Sequence, residues 1–156
     1  MKAASINELK QELNAIAPAR VMELCLRLAR FKKENKELLT YLLFEAHNEE
    51  AYIENVKKEI STLFEDLPGP NLHLTKKSLR KILRIANKHI RYIETDLAEV
   101  EILMCFCREI KTSKIPVHKS TAISNIYKRQ LDKVTAAVQL LHEDLQYDYV
   151  KELERL

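Results

Sequence analysis

Apolar residues recur at steps of three and four along nearly the whole chain, the period of a helix face. Ser5 and Glu8 have the spacing of a capping box and open a first helix that runs to about Asn14. Pro18 suits the first turn of a second helix, where its missing N–H costs nothing. That helix places Val21, Leu24, Cys25, Leu28 and Phe31 on one face, with Met22 and Leu26 on another side, as in a helix packed between two neighbours. The next stripe, Leu38, Leu39, Leu42 and Leu43, predicts a helix over 34–46. Asn48 then caps a fourth helix, with Glu49 and Glu50 at its positive end and Ile53, Val56, Ile60, Leu63, Phe64 and Leu67 as its core positions.

Pro68-Gly69-Pro70-Asn71 is the clearest break in the pattern. It divides one expected domain, 1–156, into halves 1–67 and 75–156. Beyond it a helix starting at Thr75 buries Leu79, Ile82, Leu83, Ala86, Ile90 and Ile93. A turn at Glu94-Thr95-Asp96 leads into a helix carrying Val100, Leu103, Met104, Cys107 and Ile110. After Pro116 a long final helix sets Tyr127, Leu131, Val134, Val138, Leu141 and Leu145 at heptad-like steps. The pattern leaves open whether the acidic stretch 144–154 bends away from that line. The seam serves either internal packing or a homodimer through the 120–145 helix, and internal packing is the preferred reading. Leu26-Arg27-Leu28-Ala29 echoes Leu83-Arg84-Ile85-Ala86, which favours a short superhelical, HEAT-like stack of α-hairpins over a compact bundle of six or seven helices. Either way the fold class is all-α.

Composition narrows the chemistry. A single glycine, Gly69, in 156 residues leaves no material for a phosphate-binding loop, a dinucleotide fingerprint or a nucleophile elbow. The longest apolar run, Ile102 to Cys107, is far too short to cross a bilayer. The opening M-K-A-A-S-I-N-E-L-K is polar and amphipathic rather than a signal peptide, and the three cysteines include no C-x-x-C pair. Reduced thiols and a cytoplasmic location are the expectation.

No constellation for catalysis or metal binding stands out. No histidine follows a glutamate by three positions, and no two histidines are four apart. Cys105 and Cys107 point to nearly opposite sides of a helix and read as small buried hydrophobes. His142-Glu143-Asp144 are consecutive and do not converge; His47 and His89 sit at the margins of apolar stripes, as packing residues. The sequence therefore predicts neither an enzyme nor a bound cofactor or metal.

One segment rises above this background. Lys76, Lys77, Arg80, Lys81, Arg84, Lys88 and Arg91 are seven cations with no acid among them, in a chain whose net charge is only +3. They lie opposite the apolar stripe of the fifth helix. With a start at Thr75, Lys76 and Lys77 fall in the first turn, where cations oppose the helix dipole and an anion would relieve the penalty. Glu94, Asp96, Glu99 and Glu101 of the next helix are candidates to neutralise this face within the fold.

Two segments carry resemblances. S-I-N-E-L-K-Q-E-L, L-C-L-R-L-A-R-F-K-K-E-N-K-E-L-L-T-Y-L-L-F and L-H-E-D-L-Q-Y-D-Y resemble a family of small all-helical bacterial proteins of unknown function, over most of Ser5 to Leu153. That resemblance implies a bacterial cytoplasmic protein and brings no catalytic or binding residues. Leu9-Lys10-Gln11-Glu12-Leu13 is also similar to the opening of the SAP helix-turn-helix, a DNA-binding module, although the loop glycine of that module is missing. The expected function is that of a non-enzymatic helical interaction protein with a protein partner and no membrane. The alternative is binding of nucleic acid phosphates through the basic helix, joined by Lys10 and Arg20.

Overall fold

In the computed structural model, which describes residues 2–69 and 71–156, helices account for 83% of the chain and no strand occurs among the described residues. The fold is all-α. The chain divides into two compact units, Met1–Glu45 and Ala46–Leu156. The division follows Glu45, whereas the sequence places its break at Pro68–Asn71, a turn inside the second unit; Pro70 itself lies outside the described residues.

The first unit contains α1 (Ile6–Ala15), α2 (Pro18–Phe31) and α3 (Lys33–Thr40). The Ser5 Oγ accepts from the Glu8 amide, and the Glu8 carboxylate accepts from the Ser5 amide at 2.7 Å, so the capping box is complete. Pro18 occupies the first turn of α2. The third helix departs from expectation: its α-helical part ends at Thr40, followed by a π-helical turn over Tyr41–Glu45 and a 3-10 turn over Ala46–Asn48. A π turn takes up more residues per rotation, so the Leu38-Leu39-Leu42-Leu43 stripe does not continue straight. Leu42 and Leu43 are exposed, while Tyr41 is the buried residue of this unit among those described.

The second unit is a bundle about one central helix. It comprises α4 (Glu49–Glu65), α5 (Leu72–Ile93), α6 (Asp96–Thr112), α7 (Thr121–Val138) and α8 (Glu143–Leu153). Helix α6 packs against α4, α5 and α7. Its buried residues include Val100, Ile102, Leu103, Met104, Cys105, Phe106 and Cys107, apolar positions all round the helix, as its continuous apolar run requires. Phe106 meets Phe64 of α4 edge to face, ring centroids 5.6 Å apart. Val134, Ala137 and Val138 of α7 join Val100, Leu103 and Met104 in one cluster.

Two boundaries correct the sequence reading and a third bears it out. Helix α5 begins at Leu72, not Thr75, because Asn71 caps it by accepting from the amides of His73 and Leu74. Thr75 is buried within the second turn and donates its hydroxyl to the carbonyls of Asn71 and Pro68. The expected turn between α5 and α6 is present: Glu94 adopts a left-handed conformation (φ 59°), and Thr95 caps α6 by accepting from the Ala98 amide. The long final helix breaks after Val138, and α8 starts at Glu143. Gln146 staples the break by donating to the carbonyls of Gln139 and Leu141. The acidic segment thus folds back, packing Tyr149 and Leu153 on the core cluster and pairing Arg108 of α6 with Glu152 at 2.8 Å. Val134 and Val138 of the heptad-like seam are enclosed within this unit.

The two segments of the internal echo have different surroundings. Leu26 and Leu28 of α2 are exposed, whereas Leu83 is half-buried and Ala86 fully buried in α5.

Candidate interaction surfaces

The cations of α5 form one strip. Its apolar side, Leu79, Ile82, Ala86 and Ile93, lies in the core of the second unit. The helical period then turns Lys77, Arg80, Lys81, Arg84 and Arg91 outward, and all five are exposed. Lys76 and Lys88 are half-buried at the edges, and the Lys88 ammonium lies 5.9 Å from the centre of the Tyr92 ring. Beginning α5 at Leu72 moves Lys76 and Lys77 into its second turn, beyond the reach of the dipole penalty, which fades within the first. The motive for an anion at that helix end therefore disappears. The exposed strip remains.

Two acids of α6 are engaged away from this strip. Glu101 accepts from Lys57 of α4 at 2.8 Å and from the Tyr149 hydroxyl of α8. Glu109, farther along α6, accepts from Ser61 of α4 at 2.6 Å. Glu94 and Asp96 are exposed at the helix junction. None of Lys76, Lys77, Arg80, Lys81, Arg84 and Arg91 has an acidic partner within 4.0 Å among the described residues.

The Lys57–Glu101–Tyr149 cluster was invisible in the sequence, because its members lie on three helices. Burial tends to raise the Glu101 carboxyl, but hydrogen bonds from Lys57 and Tyr149 outweigh it and hold the group below the ordinary value. Desolvation works against the Lys57 ammonium, yet Glu101 and Glu54 raise it overall. Burial, followed by the bond to Glu101, pushes the Tyr149 phenol well above its ordinary range. A cleft of about 550 Å³ beside this cluster is bordered by Glu49, Glu50, Glu54 and Leu145. Thr95 donates to Glu49 at 2.7 Å at its edge.

Of the histidines expected to pack, His89 is half-buried and its Nδ1 lies 2.8 Å from the Tyr52 hydroxyl, with Glu59 3.5 Å from Nε2. His47 instead is exposed in the 3-10 turn. His142 caps α8 with its own ring, Nδ1 accepting from the Asp144 amide. Cys105 and Cys107 are buried on opposite sides of α6, the former with its thiol near the Lys57 carbonyl. A second cleft, about 620 Å³, lies between the Pro68-Gly69 turn and the segment Ser113–Pro116, lined chiefly by Phe64, Leu67, Leu72 and Ile115.

The first unit presents a different surface. No residue of α1, α2 or α3 is buried. Leu28 and Phe31, expected in the core face of α2, are 60% and 75% exposed, and Leu42, Leu43 and Phe44 are exposed in the π turn. An apolar groove of about 270 Å³ runs between α2 and α3, lined by Cys25, Leu28, Ala29, Leu38, Leu39 and Leu42. The one polar side chain on it, Asn35, is satisfied by donating to the Leu28 carbonyl at 2.9 Å. The sequence pattern assigns Cys25, Leu28, Phe31, Leu38, Leu39, Leu42 and Leu43 to core faces; the one hint otherwise is that α2 carries apolar residues on two sides.

No family profile matches this chain, and neither a curated protein nor a solved structure does.

Proposed function

We propose that this protein is a non-enzymatic helical interaction protein that docks another protein through the apolar surface of its first unit. The observation that carries the reading is the exposure of Met22, Leu26, Leu28, Phe31, Leu42, Leu43 and Phe44 in a unit with a single buried side chain among those described. A unit of this size cannot enclose many large side chains by itself. Scattered exposed apolar residues are ordinary, but two of these, Leu28 and Leu42, line an apolar groove, and exposed apolar surface gathered at a groove marks a contact surface. Each such side chain contributes about 1.5–3 kcal/mol when fully buried, so a few of them suffice for a stable complex. An amphipathic helix of the partner fits the groove between α2 and α3, with Leu28 and Leu42 at its walls.

The test compares the wild-type chain with a Leu28→Asp/Leu42→Asp variant whose helix content is checked by circular dichroism. Affinity capture from cells and light scattering are run on both. A protein, or a second copy, held by the wild type and released by the variant supports the reading. A monomeric wild type that captures the same set as the variant overturns it.

A further inference from the structure

We infer that the outward strip of α5 is a docking surface for double-stranded DNA, held through its phosphates without regard to sequence. The inference is independent of the proposed function of the first unit, since every residue it uses lies in the second.

The first observation is the composition of the exposed surface. Within α5 the exposed positions are His73, Leu74, Lys77, Arg80, Lys81, Arg84 and Arg91; from Lys77 onward every one is a lysine or an arginine. Lys77 to Arg91 spans about 21 Å at the α-helical rise, and these side chains fall within an arc of about 100°. The strip is therefore straight and narrow. Its charges are not consumed by the fold, because the α6 acid that is paired, Glu101, is engaged with Lys57 and Tyr149. Exposed Glu94 and Asp96 close only its C-terminal end.

The second observation is what the strip lacks. Protein interfaces take their affinity from aromatic and aliphatic anchors seated in pockets, and no exposed aromatic or aliphatic residue occurs between Lys77 and Arg91. A membrane-surface helix needs a free apolar face, whereas Leu79, Ile82, Ala86 and Ile93 are committed to the core. Single strands are held by stacking on aromatic rings, and the nearest aromatic, Tyr92, is 8% exposed. A ligand that rewards a line of cations alone is a duplex phosphate backbone, where binding is driven by release of counterions. B-form DNA fits better than duplex RNA. The convex side of a helix enters the wide major groove of B-DNA, while the A-form major groove is too narrow and its minor groove is read through 2′-hydroxyls.

The experiment measures fluorescence anisotropy of a labelled mixed-sequence DNA duplex against the full chain across a sodium chloride series. The same is done for single-stranded DNA, duplex RNA and polyglutamate, and for an Arg80→Gln/Arg84→Gln variant. Both substituted residues are exposed, and an unchanged circular dichroism melt confirms that the variant folds. With four to five phosphate contacts the affinity falls about 150- to 500-fold between about 50 and 200 mM salt. The variant binds at least about tenfold more weakly at low salt, with a salt slope smaller by about two. That pattern, with duplex DNA preferred over the other probes, is the expected result. No binding at low salt, equal binding by the variant, or a preference for single strands, duplex RNA or polyglutamate overturns the inference.

Discussion

Lys57 and Glu101 stand 2.8 Å apart across the α4–α6 packing face, with side chains 21% and 26% exposed. The pair sits where desolvation is appreciable and the charges still attract more strongly than on an open surface. Tyr149 completes the arrangement by donating to the other oxygen of Glu101, which ties α8 to the same point.

Replacing Glu101 by Gln removes the charge and keeps the shape. A loss of about 1–2 kcal/mol at neutral pH is expected, below the cost for a fully buried pair because solvent screens this one. The pH dependence has a fixed sign. Glu101 is lowered from 4.5, so its contribution is present above that value and disappears as the pH falls through the lower folded-state value. Lys57 and Tyr149 are raised from 10.5 and 10.0, so their contribution is complete below about pH 10 and lost above it. Urea denaturation of wild type and Glu101→Gln should diverge most at neutral pH and converge in acid.

The three thiols should separate cleanly. Cys25 is exposed, while Cys105 and Cys107 are buried on α6. Burial, assisted by the neighbouring Cys105, pushes the Cys107 thiol up to about 12, and burial raises Cys105 as well. The thiolate is the reactive form, so a disulfide reagent at pH 8 should titrate one cysteine rapidly and the other two only after denaturation. Fast labelling of two or three in the folded protein would contradict the packing of α6.

Glu94 is the position where backbone conformation and residue type disagree. Its φ of 59° ends α5, its amide donating to the Ile90 carbonyl, at a place where glycine is the usual residue. Glu94→Gly should stabilise the protein by about 0.5–1 kcal/mol, seen as a higher thermal midpoint. Glu94→Val should lower it, because a β-branched side chain is strained there.

Phe106 fills the interior of the second unit and is fully buried against Phe64. Phe106→Ala should cost about 3–5 kcal/mol in chemical denaturation, through lost transfer energy and the cavity left behind. Phe106→Leu should cost much less, since it restores most of the volume.

Helix content, the Ser5–Glu8 box, the Asn48 cap, the turn at Glu94-Thr95-Asp96 and the burial of Cys105 and Cys107 were legible in the sequence. Each depends on residues a few positions apart, where the helical period converts spacing directly into geometry. The register of the α5 cations was legible for the same reason: Leu79, Ile82 and Ala86 had to turn inward, so Arg80, Arg84 and Arg91 had to turn outward. Helix ends were less secure. The Glu94-Thr95-Asp96 turn marked where α6 begins, but Asn71 stands beside prolines in a stretch that also reads as plain turn, and the start of α5 shifted by three residues.

Tertiary structure alone decided which apolar faces are covered. Leu28 and Val134 look equally suited to a core; one is exposed and the other fully buried, because only the second has α6 to pack against. It likewise decided that Glu101 would pair with Lys57 and Tyr149, residues 44 and 48 positions distant, and leave the α5 strip without one of its candidate partners. A periodic pattern specifies the direction in which a side chain leaves its own helix. What it meets there depends on the placement of other helices, and that is set by the packing of the whole unit.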